Sequence, residues 1–122
     1  MRHRVDEVGR ILDIEATGLS PQAVIDYPLT LLAERPEFWG WDWVISVTEI
    51  SDDISLDQVG KLADHYAGLP KTEGVTVMVS RDPRLGFWAE VLEFQCPARR
   101  RLVAMDRIEA VTLIEARRAA GT

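Results

Sequence analysis

The chain has 122 residues, of which 47% are hydrophobic and 28% charged, and its formal net charge is −6. This length and composition predict a single globular domain over residues 1–122 and exclude an intrinsically disordered chain. The acidic balance argues against nucleic acid as a partner, because phosphate attracts basic surfaces, and no apolar stretch approaches the roughly 18 residues that membrane insertion requires.

The N-terminal segment is predicted to form a β-hairpin. Residues 2–8 and 10–16 have the pattern of two short strands joined at Gly9. We expect the first strand to lie at an edge of the sheet.

A helix is predicted to follow the hairpin. Ser20 suits the N-cap and Pro21 the first helical position, and the helix is expected to end before Pro36. Pro28 would remove a helical hydrogen bond, so we expect a kink or a late helix start there.

The middle of the chain is predicted to form a strand and a second helix. Residues 41–47 are rich in aromatic and β-branched side chains, which favour a strand. Ser55 and Gln58 have the spacing of a capping box, which predicts a helix start, and Gly68 is expected to end that helix.

A third helix is predicted after a buried strand. Residues 74–80 form a short apolar run typical of a central parallel strand. Asp82 and Pro83 have the cap-then-proline pattern of a helix start, and Pro97 closes that helix. The helix is apolar over a wide arc, part of which is expected to contact something beyond its own sheet.

The C-terminal segment is predicted to form the last strand and the last helix. Residues 101–105 are predicted as the strand, and we interpret the run Arg99-Arg100-Arg101 as a solvated approach to it. Asp106 is predicted to cap the final helix, and residues 119–122 are expected to form a frayed tail.

The order ββαβαβαβα predicts an α/β fold with a mixed, mostly parallel sheet of about five strands and an antiparallel N-terminal edge strand. Residues 43–48, 74–80 and 101–105 are expected to pair side by side as parallel strands. Their connecting helices are expected to cover both sides of the sheet.

This arrangement resembles the STAS-like fold of the anti-sigma-factor antagonists and of the cytoplasmic domains of sulfate transporters, and it is most similar to the small stand-alone bacterial members described as SpoIIAA-like. The resemblance extends over nearly the whole chain and depends on the order and spacing of several short phrases. These are Glu34-Arg35-Pro36-Glu37-Phe38, Ile54-Ser55-Leu56, the segment from Gly74 to Pro83 followed by Gly86, and Asp106-Arg107-Ile108-Glu109-Ala110.

The resemblance implies a candidate phospho-acceptor at the start of the second helix. Anti-sigma-factor antagonists carry a phosphorylatable serine there, and Ser55 occupies the matching position. The small residues and the glycine that accompany the family's serine are absent around Ser55. The alternative is that Ser55 serves only as an N-cap, which contributes about 1 kcal/mol.

The residues that could carry catalysis are few and scattered. His65 is interpreted as a surface residue, and Cys96 precedes a proline at a helix end, where the dipole disfavours a thiolate. The acidic group Glu49, Asp52, Asp53 and Asp57 is interpreted as a solvated loop rich in capping residues. We therefore expect no enzyme, no metal site and no cofactor.

Cysteine usage and the N-terminus bear on localisation. A single cysteine cannot form an internal disulfide, which favours a reducing compartment. The first residues are charged where a signal peptide would have an apolar core, so we expect a cytoplasmic protein.

The aromatic phrase from Phe38 to Trp43 is the most unusual feature of the sequence. In a strand Trp41 and Trp43 point to the same face, and the favoured interpretation is that they fill the core. The alternatives are an apolar groove or a partner-facing patch. The candidate ligand or partner surface then consists of Trp39, Trp41, Trp43, Phe87 and Trp88.

Taken together, the sequence predicts a non-enzymatic STAS-like regulatory or interaction module that binds a protein partner, or itself as a homodimer. The alternative is a carrier or sensor of a small apolar ligand or lipid. Its groove would lie between the aromatic strand and the third helix.

Overall fold

The structure, a computed structural model, describes residues 2–16, 21–47 and 55–121. Within these residues five strands and four α-helices follow one another in the predicted order ββαβαβαβα. They are β1 (Arg2–Asp6), β2 (Ile11–Ala16), α1 (Pro21–Glu34), β3 (Asp42–Val47), α2 (Leu56–Tyr66), β4 (Val75–Val79), α3 (Pro83–Gln95), β5 (Arg100–Ala104) and α4 (Arg107–Ala120), with a short 3₁₀ helix (Pro36–Gly40) between α1 and β3.

The strands form one mixed sheet in the order β1-β2-β3-β4-β5. β1 pairs antiparallel with β2 at one edge, and all the other pairs are parallel. The predicted parallel pairing of the third, fourth and fifth strands is therefore confirmed, although residue 48 of the predicted range lies outside the described part. The alternating strand-and-helix pattern was sufficient for this prediction because parallel neighbours need long crossover connections.

The helices lie on both sides of the sheet, but the distribution differs from the prediction. α1, α2 and α3 pack on one side around a large core that includes Leu31, Tyr66 and Trp43. Among the described helices α4 alone packs on the other side, through Ala110 and Ile114. The expectation that connecting helices cover both sides is wrong, because right-handed crossovers between strands in consecutive order place every connecting helix on the same side.

Several element boundaries differ from those predicted. α1 begins at Pro21 and includes Pro28, so a late start at Pro28 is wrong. Pro28 is itself buried, and an internal proline costs a helix about 3 kcal/mol, which the tertiary packing of α1 has to offset. The predicted cap Ser20 lies outside the described residues. α4 is helical to Ala120, two residues into the predicted frayed tail.

The predicted helix starts are confirmed wherever they are described. Ser55 and Gln58 form both hydrogen bonds of a capping box, 3.1 Å from Gln58 N to Ser55 Oγ and 2.9 Å from Ser55 N to Gln58 Oε1. Asp82 and Asp106 accept backbone N–H groups in the first turns of α3 and α4. Among the described helices, none has both the length and the apolar character needed to cross a membrane.

Candidate interaction surface

The aromatic phrase forms part of the core. Trp39, Trp41 and Trp43 are all buried, and Trp41 and Trp43 belong to the same core on one side of the sheet, as predicted. The indole N–H of Trp43 donates to the carbonyl of Phe38 at 2.7 Å, and that of Trp39 donates to the carbonyl of Pro70 at 2.7 Å. Burial leaves these three rings unavailable to a partner-facing patch.

The other interpretation of the aromatic phrase was an apolar groove that binds a small ligand. Two described cavities have volumes of about 350 Å³ and 640 Å³. Neither is lined by a tryptophan or a phenylalanine. The tryptophans contact other rings instead: Trp39 stacks on Tyr66 with centroids 5.2 Å apart and meets Trp43 edge-on at 6.3 Å. Among the described residues, these indole rings therefore have other aromatic side chains as neighbours.

The interpretation of Arg99-Arg100-Arg101 as a solvated run is wrong. Arg100 is exposed, but Arg99 is only 1% exposed and Arg101 is also buried. The Arg101 guanidinium donates to the carbonyls of Cys96 (3.0 Å) and Arg99 (2.8 Å). Backbone carbonyls supply the partners of the buried Arg101 guanidinium, and the charge pattern of the sequence does not reveal them.

Arg99 joins four segments of the fold. Its Nε donates to Thr76 Oγ1 at 2.7 Å and its Nη1 to the carbonyl of Trp39 at 2.6 Å, while its Nη2 donates to the carbonyls of Trp41 at 2.6 Å and Val75 at 3.0 Å. The guanidinium carbon also lies 4.2 Å from the ring centroid of Trp43. Burial lowers the pKa of Arg99 to about 9, so the group is charged at neutral pH. With every donor nitrogen bonded, Arg99 is a structural link and has no donor nitrogen free for a ligand.

Of the other candidate residues, the structure describes Ser55, His65 and Asp57 on the surface and Cys96 in the interior. Ser55 is exposed, and its hydroxyl is used in the capping box, so a phospho-acceptor role stays a prediction. His65 is exposed near the end of α2, and Asp57 pairs with Lys61 at 3.3 Å. Glu49, Asp52 and Asp53 lie outside the described residues. Cys96 is buried at the C-terminal end of α3, as its position before a proline predicted.

Most of the exposed large hydrophobic side chains in the described residues belong to α3, to β5 and to the segment that leads from β5 into α4. Phe94 is 88% exposed and Phe87 58%, and their spacing of seven residues places them on one face of α3. The side chain of Trp88 lies outside the described part of the chain. We define the apolar edge surface as the exposed large hydrophobic side chains of α3, of β5 and of the segment from β5 into the first turn of α4, namely Phe87, Phe94, Val103, Met105 and Ile108.

The predicted apolar arc of α3 therefore includes side chains that remain in water. The sequence signal for them was the lack of a polar face on α3. It did not indicate the contribution of β5 and α4, because their apolar residues are single positions in mixed patterns.

Comparison with known proteins gives no match, since no family model, curated protein or solved structure matches this chain.

Proposed function

We propose that this chain is a non-enzymatic protein-interaction module of STAS-like type, and that a second copy of the chain docks on its apolar edge surface. The observation that carries the proposal is the distribution of exposed large hydrophobic side chains. Among the described residues five of the six lie on α3, β5 and the start of α4. Large apolar side chains concentrated in water are typical of an interaction site. The STAS-like part of the proposal is supported by the sequence phrases and by the element order.

Edge strand β5 offers backbone groups for pairing with another strand. The N–H of Ser80 donates to the carbonyl of Ala104 at 3.1 Å, so Ala104 directs its backbone groups toward β4. Because successive residues alternate, Arg101 and Val103 direct theirs away from the sheet. The Arg101 N–H meets the carboxylate of Glu93 at 3.2 Å. A docking strand would take the place of this carboxylate.

Two copies of β5 can pair about a two-fold axis without a conflict of register or charge. With Leu102 on the axis, Arg101 faces Val103 of the second copy, so the outward-directed residues exchange both of their hydrogen bonds. The same antiparallel register brings the exposed Arg100 close to the exposed Asp106 of the second copy. These opposite charges favour this pairing.

The test is the oligomeric state, measured by sedimentation velocity over a wide range of chain concentration. We expect a dimer that Phe94→Glu weakens about tenfold or more, because a buried carboxylate replaces an apolar contact. Val8→Glu is the matched control: Val8 is 97% exposed in the hairpin turn, away from the β5 edge, and its substitution should leave the dimer unchanged.

Two further variants distinguish pairing of the β5 strands from nonspecific hydrophobic association. Val103→Pro removes an outward N–H that is not needed within the sheet, so the monomer should fold while the dimer weakens. Glu93→Gln removes the charged acceptor at Arg101 and should strengthen the dimer. A chain that stays monomeric at every concentration contradicts the proposal, and so does a dimer that both Phe94→Glu and Val103→Pro leave intact.

A further inference from the structure

Among the described elements, α4 covers only part of its side of the sheet. α4 contacts β3, β4 and β5. On this side β1 and β2 carry charged residues, because Leu12 and Ile14 point into the large core and leave Asp13 and Glu15 on the opposite face. A cavity of about 350 Å³ opens here, lined by Arg2, His3, Arg4, Asp13 and Glu15.

Asp13 is a buried carboxylate with one unused oxygen. The residue is only 6% exposed. Its Oδ2 accepts from the Arg107 guanidinium, at 2.8 Å from Nε and 2.8 Å from Nη2. Its Oδ1 is buried and has no hydrogen-bond partner in the described part of the chain. An unpaired buried acceptor costs about 1–3 kcal/mol, so such a group calls for an explanation.

Arg4 is the second unmatched group. It lies directly across from Asp13 in the β1–β2 pair, and it is exposed. Within the described residues its side chain makes no hydrogen bond or ion pair, whereas the side chain of Arg2 pairs with Glu15 at 2.8 Å. Since Arg107 pairs with Asp13, both carboxylates at the cavity already have a guanidinium partner, and the positive charge of Arg4 has none among the described residues.

We propose that this cavity binds a small carboxylate with a hydroxyl or ammonium group on the neighbouring carbon, that is, a 2-hydroxy or 2-amino acid. The ligand carboxylate pairs with Arg4, and its neighbouring donor bonds to Asp13 Oδ1, which the ligand has to uncover because that atom is closed to solvent in the free protein. Arg107 holds the other oxygen of Asp13 and so fixes the acceptor. The volume is at the lower end of the range for ligand pockets, about 300–1,000 Å³, which suits a small ligand.

The experiment compares glycolate with acetate, two carboxylates that differ by one hydroxyl donor, in titrations followed by calorimetry and amide NMR shifts. We expect glycolate to bind about tenfold more tightly than acetate, because acetate leaves Asp13 Oδ1 unpaired. Arg4→Gln should abolish binding of both. The matched control, Arg81→Gln, changes an exposed arginine beyond the carboxyl end of β4 and should have no effect.

Three outcomes overturn the proposal. Equal binding of glycolate and acetate indicates a simple anion site at arginine, and no binding of either removes the site. If wild type binds no glycolate and Arg4→Gln destabilises the ligand-free protein, Arg4 itself pairs with Asp13 and leaves no place for a ligand. The Phe94→Glu variant should bind glycolate normally, so a failure here is distinct from a failure of the dimer proposal.

Discussion

Replacing Arg99 with methionine tests whether the buried guanidinium holds the fold together. Methionine has a similar length and keeps apolar contact with the indole of Trp43, but it donates no hydrogen bond. One hydroxyl and three carbonyl oxygens lose their partner: those of Thr76, Trp39, Trp41 and Val75. Water cannot replace the guanidinium easily, because the site is closed by indole rings.

The size of the effect is a difference between two large contributions. Hydrogen bonds from a charged donor contribute about 1.5–3 kcal/mol each, so four of them contribute roughly 6–12 kcal/mol. Against this, desolvation lowers the pKa of Arg99, so keeping the buried group charged offsets part of that contribution. We expect Arg99→Met to lower the free energy of unfolding by about 4 kcal/mol, near the range for breaking a buried charged pair.

Urea unfolding followed by tryptophan fluorescence and circular dichroism measures this loss. With a slope of about 1.5 kcal/mol per molar urea, the midpoint should fall by about 2–3 M. The matched control is Arg100→Met, since Arg100 is the exposed neighbour in the same run, and its effect should stay within about 0.5 kcal/mol.

The reasoning is refuted if Arg99→Met and Arg100→Met unfold at the same urea concentration. Arg99→Lys gives a second readout, because lysine keeps a charge but lacks the planar fork that reaches several acceptors at once. If lysine restores wild-type stability, the charge over the Trp43 ring matters and the hydrogen bonds do not.

Three further predictions concern stability alone. Burial raises the pKa of Tyr66 to about 12, above its value of 10 in the unfolded chain, so the stability due to its neutral form is present below pH 10 and is lost as the pH rises toward 12. Between about pH 9 and 11 the wild type should lose about 1.4 kcal/mol more than Tyr66→Phe in urea titrations. Gly74→Ala should cost about 1–3 kcal/mol, because a Cβ would overlap the carbonyl oxygen of Trp41, whereas Gly60→Ala within α2 meets nothing within 4 Å and should stabilise by up to about 1 kcal/mol. Ser55→Ala should lower the free energy of unfolding by about 1 kcal/mol through loss of the capping box, as measured by thermal unfolding.

Local signals account for the parts of the fold that the sequence predicted. The capping box at Ser55, the cap-then-proline start at Asp82 and the cap at Asp106 each depend on residues within one helical turn. The alternation of strands and helices predicted a mostly parallel sheet, because a helix between two strands is the usual crossover connection of a parallel pair. The predicted shared face of Trp41 and Trp43 followed from strand geometry alone.

The sequence by itself thus determined the element order, the helix starts and which tryptophans share a face. Only the tertiary structure decided that α4 alone covers the second side, that Arg99 is buried, and that Asp13 keeps an unused oxygen. The partners of Arg99 lie 23 to 60 residues away along the chain, so no local pattern distinguishes it from the exposed Arg100. The apolar edge surface also could not be predicted from local patterns, because the exposure of each side chain depends on which elements pack beside it.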